Sequence, residues 1–130
     1  MTRLIALCLI LGSALTEAFE APRQGYPPLA TASIILQTDD IAAFRTTCKQ
    51  FSEHEHLQYS EGQFMRDGRM VYQFYFKEGG APVILVDNFR DPSRYQAIAY
   101  AGDKAVPWEP RWERFIAEMQ GTLGTRAVMR

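Results

Sequence analysis

The sequence predicts an α+β domain: an antiparallel sheet of four to five strands, in the order β-α-β-β-β-β-α, with two amphipathic helices packed on one face. Three observations carry this. Residues 70–77 alternate Met70, Tyr72, Phe74 and Phe76 against Val71, Gln73, Tyr75 and Lys77, the period of two of a half-buried strand. Asp67-Gly68 before that strand and Gly79-Gly80 after it are turn pairs, which join it to a neighbour on each side in a meander. Two further sets, Ile41, Phe44, Cys48, Phe51 and then Trp112, Phe115, Ile116, Met119, Leu123, recur at helical spacing and form stripes able to cover one sheet face.

Taken in order, residues 1–18 read as a signal peptide. Arg3 is a basic start, residues 4–11 are an apolar run, and Thr16-Glu17-Ala18 places small residues where a signal peptidase cuts, with Ala14 a second cleavage point. The run is shorter than the roughly 20 residues a membrane-spanning helix needs, and the bulky Leu7 before Cys8 argues against a lipidated cysteine. The expected location is therefore periplasmic or secreted, with no membrane attachment after the signal is removed. Arg3 and Glu17 cancel, so the exported chain keeps the net charge of −1, and nothing steers it to nucleic acid or an anionic surface. Cys48 is the one thiol left, which excludes an intrachain disulfide.

Residues 19–30 hold prolines and a glycine without periodicity and read as an extended leader. The single domain spans 31–124. It opens on a strand over 31–37 with Ile34, Ile35 and Leu36 as its buried run, and Thr38-Asp39-Asp40 supplies N-cap residues for a helix ending near His54. A strand over 57–66 follows, with Gly62 a candidate bulge; then come the central strand, a strand over 82–87, a turn at Asp91-Pro92-Ser93-Arg94 and a strand over 95–101. Pro107 and Pro110 fit only the first turn of the last helix, Gly121 and Gly124 offer C-caps, and 125–130 read as a frayed tail.

The turns imply a register. A two-residue loop at Asp67-Gly68 pairs Arg66 with Arg69, Met65 with Met70, Gln63 with Tyr72, Glu61 with Phe74 and Tyr59 with Phe76. A loop at Gly79-Gly80 pairs Phe76 with Val83, Phe74 with Leu85, Tyr72 with Asp87 and Met70 with Phe89. The apolar face is then Tyr59, Met65, Met70, Tyr72, Phe74, Phe76, Val83, Leu85 and Phe89, interrupted by Glu61, Gln63 and Asp87 beside Tyr72. Polar groups on such a face are hydrogen-bonded or line a pocket, so Glu61, Gln63, Tyr72 and Asp87 are the candidate ligand-binding residues. The same register brings Arg66, Arg69, Arg90 and Arg94 to one end of the sheet, a candidate site for an anion or an acidic partner surface. His54 and His56 are weak metal candidates, because two residues apart on a helix they point to nearly opposite sides.

The order of elements over 31–87 resembles the βαβββ module of the vicinal oxygen chelate (glyoxalase-like) superfamily. Ser33 stands where that family has a first-strand metal-binding His, and Asp87 where it has a late-strand carboxylate. The resemblance lies in the pattern and implies an architecture rather than metal chemistry.

No catalytic triad, phosphate-binding glycine loop or CxxC pair is present, so catalytic residues stay unknown and no cofactor is expected. The leading expectation is a non-enzymatic module that binds a small molecule or a protein. One alternative is a small enzyme using Asp87, Tyr72 and Glu61 for proton transfer, with a metal on His54 or His56. Another is an interaction protein that forms a homodimer or inhibits a partner through a sheet edge or the arginine end. N-terminal sequencing of exported material is expected to start at Phe19 or Leu15; soluble cytoplasmic protein that retains Met1 would refute export.

Overall fold

The computed structural model describes residues 25–103 and 106–130; the expected signal peptide at 1–18 and leader residues 19–24 lie outside the described residues. The chain runs from strand β1 (Ala30–Ile35) through a 3₁₀ turn (Thr38–Asp40) into helix α1 (Ile41–Glu55). Strands β2 (Gln58–Arg66), β3 (Arg69–Glu78), β4 (Ala81–Asp87) and β5 (Arg94–Ala99) follow, then helix α2 (Trp108–Leu123), a second 3₁₀ turn (Thr125–Ala127) and a short strand β6 (Val128–Met129). The strands form one antiparallel six-stranded sheet in the order β2-β3-β4-β5-β1-β6. The predicted α+β class with two helices holds, with one strand more than expected. That strand comes from the tail expected to fray: Val128 is buried and pairs with Ile34, and Arg130 bonds Glu113 on α2. An apolar residue with an open β1 edge to pair with outweighs the entropy of a short terminus.

The helices lie on the face that carries Ala32 and Ile34 of β1, Phe74 and Phe76 of β3, Ile84 and Val86 of β4, and Tyr95, Ala97 and Ala99 of β5. Small side chains on β5 let the helices approach, and aromatics on β3 fill the space below α1. Phe44 packs edge-on to Phe74 with ring centres 5.0 Å apart, Phe51 does the same on Phe76 at 5.7 Å, and Phe115 of α2 closes on Phe51 at 5.3 Å. Cys48 is fully buried in this layer, where loss of solvation pushes its thiol far above the ordinary range, so it serves as a small apolar residue.

At the start of α1 the acidic residues act in an unexpected direction. The carboxylate of Asp40 reaches back to accept from the Gln37 N–H at 2.9 Å, closing the 3₁₀ turn rather than capping a forward N–H. At the other end His56 takes the left-handed conformation (φ 57°), and Leu57 N–H returns to the Ser52 carbonyl at 2.8 Å. The α2 stripe is buried as predicted from Trp112 to Met119. So is Arg111, whose Nη1 donates to Glu78 Oε2 at 3.2 Å, fastening the first turn of α2 to the end of β3. Gly102 makes room for this pair: at φ +72° a Cβ there would lie 2.6 Å from Glu78 Oε1 and 2.7 Å from Arg111 Nη2.

Every β2–β3 pair expected from the Asp67-Gly68 turn is present. Both residues have positive φ (51° and 80°), as a type I′ turn requires. The Gly79-Gly80 turn also forms and sets Glu78 against Ala81 and Lys77 against Pro82, but a bulge then inserts one residue into β4. Phe76 therefore faces Ile84 instead of Val83, and Phe74 faces Val86 instead of Leu85. From that point the expected facing of β4 is inverted. Leu85 and Asp87 belong to the second face, with Gln73 opposite Asp87, and Phe89 leaves the helix face to lie under the Arg66 guanidinium, 4.2 Å from the ring centre.

The orientation of β3 itself is as predicted: Phe74 is buried under α1, whereas Tyr75 lies on the second face and donates its hydroxyl to Gln73 Oε1 at 2.7 Å. Phe74→Ala is expected to cost about 3–5 kcal/mol in urea unfolding and Tyr75→Ala clearly less; the reverse order would invert the assigned face.

Candidate functional site

Exposure along the β2–β3 hairpin rises toward the Asp67-Gly68 turn. Phe76 and Phe74 are buried, Tyr72 is 37 % exposed and Met65 is 60 % exposed. All belong to the helix-side face, so the gradient marks where the helical cover ends. Tyr72, expected within the apolar face, thus forms the floor of an opening, and Met65 lies beyond the cover. The walls come from residues 36–38 after β1, the first turns of α1, and the loop after β4. The resulting cleft has a volume of about 640 Å³ and continues into a smaller recess of about 270 Å³ under Arg45, Glu61 and Gln63. Leu36, Ile41 and Met70 supply apolar wall, and Gln37, Gln63, Arg45, Arg69, Tyr72 and Tyr95 supply polar groups.

On the β2 side, Glu61 accepts from Arg45 through both oxygens (2.7 and 3.1 Å) and from the Tyr59 hydroxyl at 2.7 Å. Partial burial alone would raise the Glu61 carboxyl, but the bonds from Arg45 and Tyr59 outweigh it and hold the group below the ordinary carboxylate range. On the β4 side stands Asn88, 3 % exposed. Its Oδ1 accepts from Tyr72 N–H at 2.7 Å and its Nδ2 donates to the Pro92 carbonyl at 3.1 Å, which ties the 88–93 loop to β3. Arg69 holds the same loop from the hairpin end, donating to the main-chain carbonyls of Asn88 at 2.9 Å and of Phe89. Tyr95, pointing inward from β5, completes the wall; burial pushes its hydroxyl up to about 12, with Tyr72 adding to the shift and Arg69 opposing it.

Of the four candidate ligand-binding residues, the structure brings Glu61, Gln63 and Tyr72 together and removes Asp87. The β4 bulge gives Asp87's expected place beside Tyr72 to Asn88. Asp87 opens instead into a separate groove of about 200 Å³ on the second face, with Gln73, Gln96, Arg90 and Arg94, and its Oδ1 accepts from Phe89 N–H at 3.0 Å. The expected arginine cluster is likewise divided: Arg90 and Arg94 line that groove, Arg66 stacks on Phe89, and Arg69 lines the helix-side cleft. Ser33 and Asp87, the positions that the glyoxalase-like pattern aligns with metal ligands, are separated by β5, where Gln96 faces both. His54 approaches Glu118 of α2 at 3.9 Å while His56 caps α1, and among the described residues no group of three or more His, Cys, Asp or Glu is placed to hold a metal.

Sequence reasoning missed Arg45, Asn88 and Tyr95. Arg45 was legible as a flank of the α1 stripe, one turn after Ile41. Tyr95 and Asn88 depend on β5 lying beside β4 and on the bulge, which no local pattern shows. Comparison of the chain with known protein families, curated proteins and solved structures found no match.

The Glu61 bonds have a pH signature. A carboxyl held below its unfolded value of about 4.3 adds stability above that pH and loses it as pH falls through the folded value. Glu61→Gln removes this contribution, so the variant is expected to lose less stability than the wild type between pH 6 and pH 3 in urea melts; equal losses would show that the Arg45–Glu61–Tyr59 group does not form in solution.

Proposed function

We propose that this is an exported, non-enzymatic binding module whose small-molecule site is the helix-side cleft. The observation that carries the reading is Tyr72. An aromatic residue is left 37 % exposed at the centre of a cleft floor whose strand neighbours Val71, Gln73 and Phe74 are all buried. Around it the cleft combines apolar wall with a few convergent polar groups, and its volume lies within the roughly 300–1,000 Å³ of small-molecule sites. Export rests on the sequence pattern of residues 1–18, and no helix among the described residues is long and apolar enough to cross a membrane.

The proton-transfer alternative required Asp87, Tyr72 and Glu61 on one face, and Asp87 opens on the other. A protein-binding reading draws on a different observation. Among the described residues β2 is an edge strand of nine residues, with the exposed Met65 next to its last residue, which suits strand addition by a partner chain or a second copy.

Native mass spectrometry of the protein purified from its own cells tests the first reading. A small-molecule adduct is expected on the wild type and is expected to be lost from Tyr72→Ala with the fold intact by circular dichroism. An adduct retained by Tyr72→Ala would place the ligand elsewhere.

A further inference from the structure

We infer that the ligand of the helix-side cleft is a monoanion, a carboxylate on an apolar or aromatic body, and that Arg69 receives the carboxylate; this rests on the reading of the cleft as a ligand site. Of the residues around the larger volume only Arg45 and Arg69 are ionic, and both are cationic. Arg45 is already neutralised by the two-oxygen contact with Glu61. Arg69 is not: its partners are the neutral carbonyls of Asn88 and Phe89, and among the described residues no carboxylate lies within ion-pairing distance of it.

Those two bonds use part of a guanidinium that carries five N–H donors, and they fix its plane. The loop they fix it to is itself anchored, since Asn88 is buried and bonded to both Tyr72 and Pro92. The result is a preorganised cation with its formal charge unanswered in a half-enclosed cleft, where such a charge is most strongly felt. The two phenols beside it suit the same occupant. Tyr72 and Tyr95 both line the cleft, and a phenol O–H is a donor from which a carboxylate can accept. Cationic ligands would meet Arg69 unfavourably, and neutral ones would leave it unpaired. A phosphate group, with nearly two charges, calls for a second free cation, and Arg45 is taken. Leu36, Ile41, Met70 and the Tyr72 ring bound the space left for an apolar body.

A matched pair of fluorescent probes separates this inference from the reading beneath it: dansylglycine, which carries a carboxylate, and dansylamide, which has the same ring system without charge. The wild type is expected to bind dansylglycine about tenfold more tightly, the value of one charge-assisted contact. Arg69→Gln should abolish that preference, bringing the two affinities to about the same value, while Tyr72→Ala should weaken both probes. Because Arg69 also ties down the 88–93 loop, a second variant reads the cleft charge without touching that loop: Glu61→Gln releases Arg45 from its counter-ion and should tighten dansylglycine severalfold relative to dansylamide. If wild type shows no preference, or if the preference survives Arg69→Gln and ignores Glu61→Gln, the anion assignment is wrong while the cleft stands. If neither probe binds, or if Tyr72→Ala affects neither, the cleft reading falls with it.

Discussion

The extra residue in β4 is the constraint on which the cleft face depends. Side chains alternate along a strand, so a one-residue shift between Phe76 and Lys77 decides which of Asp87 and Asn88 stands beside Tyr72. With the bulge, an amide enters the helix-side layer, where it can satisfy the Tyr72 N–H and the Pro92 carbonyl together, and the carboxylate goes to the opposite face. Without it, Asp87 would bring a negative charge under the helices and the loop that orients Arg69 would lose its anchor. The bulge is itself held. Val83 and Pro82 return their carbonyls to Tyr100 N–H at 2.8 Å and Gly102 N–H at 3.1 Å, and Gly102 lies against the Glu78–Arg111 pair.

That pair and the aromatic layer also account for the position of the cleft. Arg111 fixes α2 at the Glu78 end of β3, and Phe44 and Phe51 fix α1 along the same strand. The helices are thereby committed to one end of a ten-residue strand, and the other end, with Met70, Tyr72 and the Asp67-Gly68 turn, extends past them. The opening follows from a helical layer shorter than the hairpin it covers, and the loop of residues 88–93 closes its far side.

Where local chemistry determines geometry, the fold was legible. Asp67-Gly68 could form only a tight turn of positive φ, and the whole β2–β3 register followed. The apolar stripes placed both helices, and Cys48 within its stripe was readable as an inert core residue. Legibility ended where non-local pairing took over. The apolar Val83 and Ile84 could equally well face Phe76, so composition could not reveal the bulge. The available signal was Pro82, since a proline inside a sheet lacks the N–H a ladder needs and belongs at an edge, a strand start or a bulge. Arg111, next to Trp112, looked like solvent-facing charge until β3 supplied Glu78. Val128 had nothing local to mark it as a strand, because its partner Ile34 lies near the other end of the domain. Around the cleft, one correct turn placed Glu61, Gln63 and Tyr72 together, and the one missed residue in β4 put Asp87 on the wrong face.

Strand β2 has two sides that the rest of the sheet keeps apart. Its helix-side groups Glu61 and Gln63 form a wall of the cleft, and among the described residues its outer backbone edge is one margin of the sheet. A chain that added itself to that margin would straighten and stiffen the same nine residues that shape the wall. If the cleft takes a ligand and the margin a partner strand, occupancy of one would be thermodynamically linked to occupancy of the other, equally in both directions. A small molecule and a neighbouring polypeptide, though touching different atoms, would report on each other through a single strand.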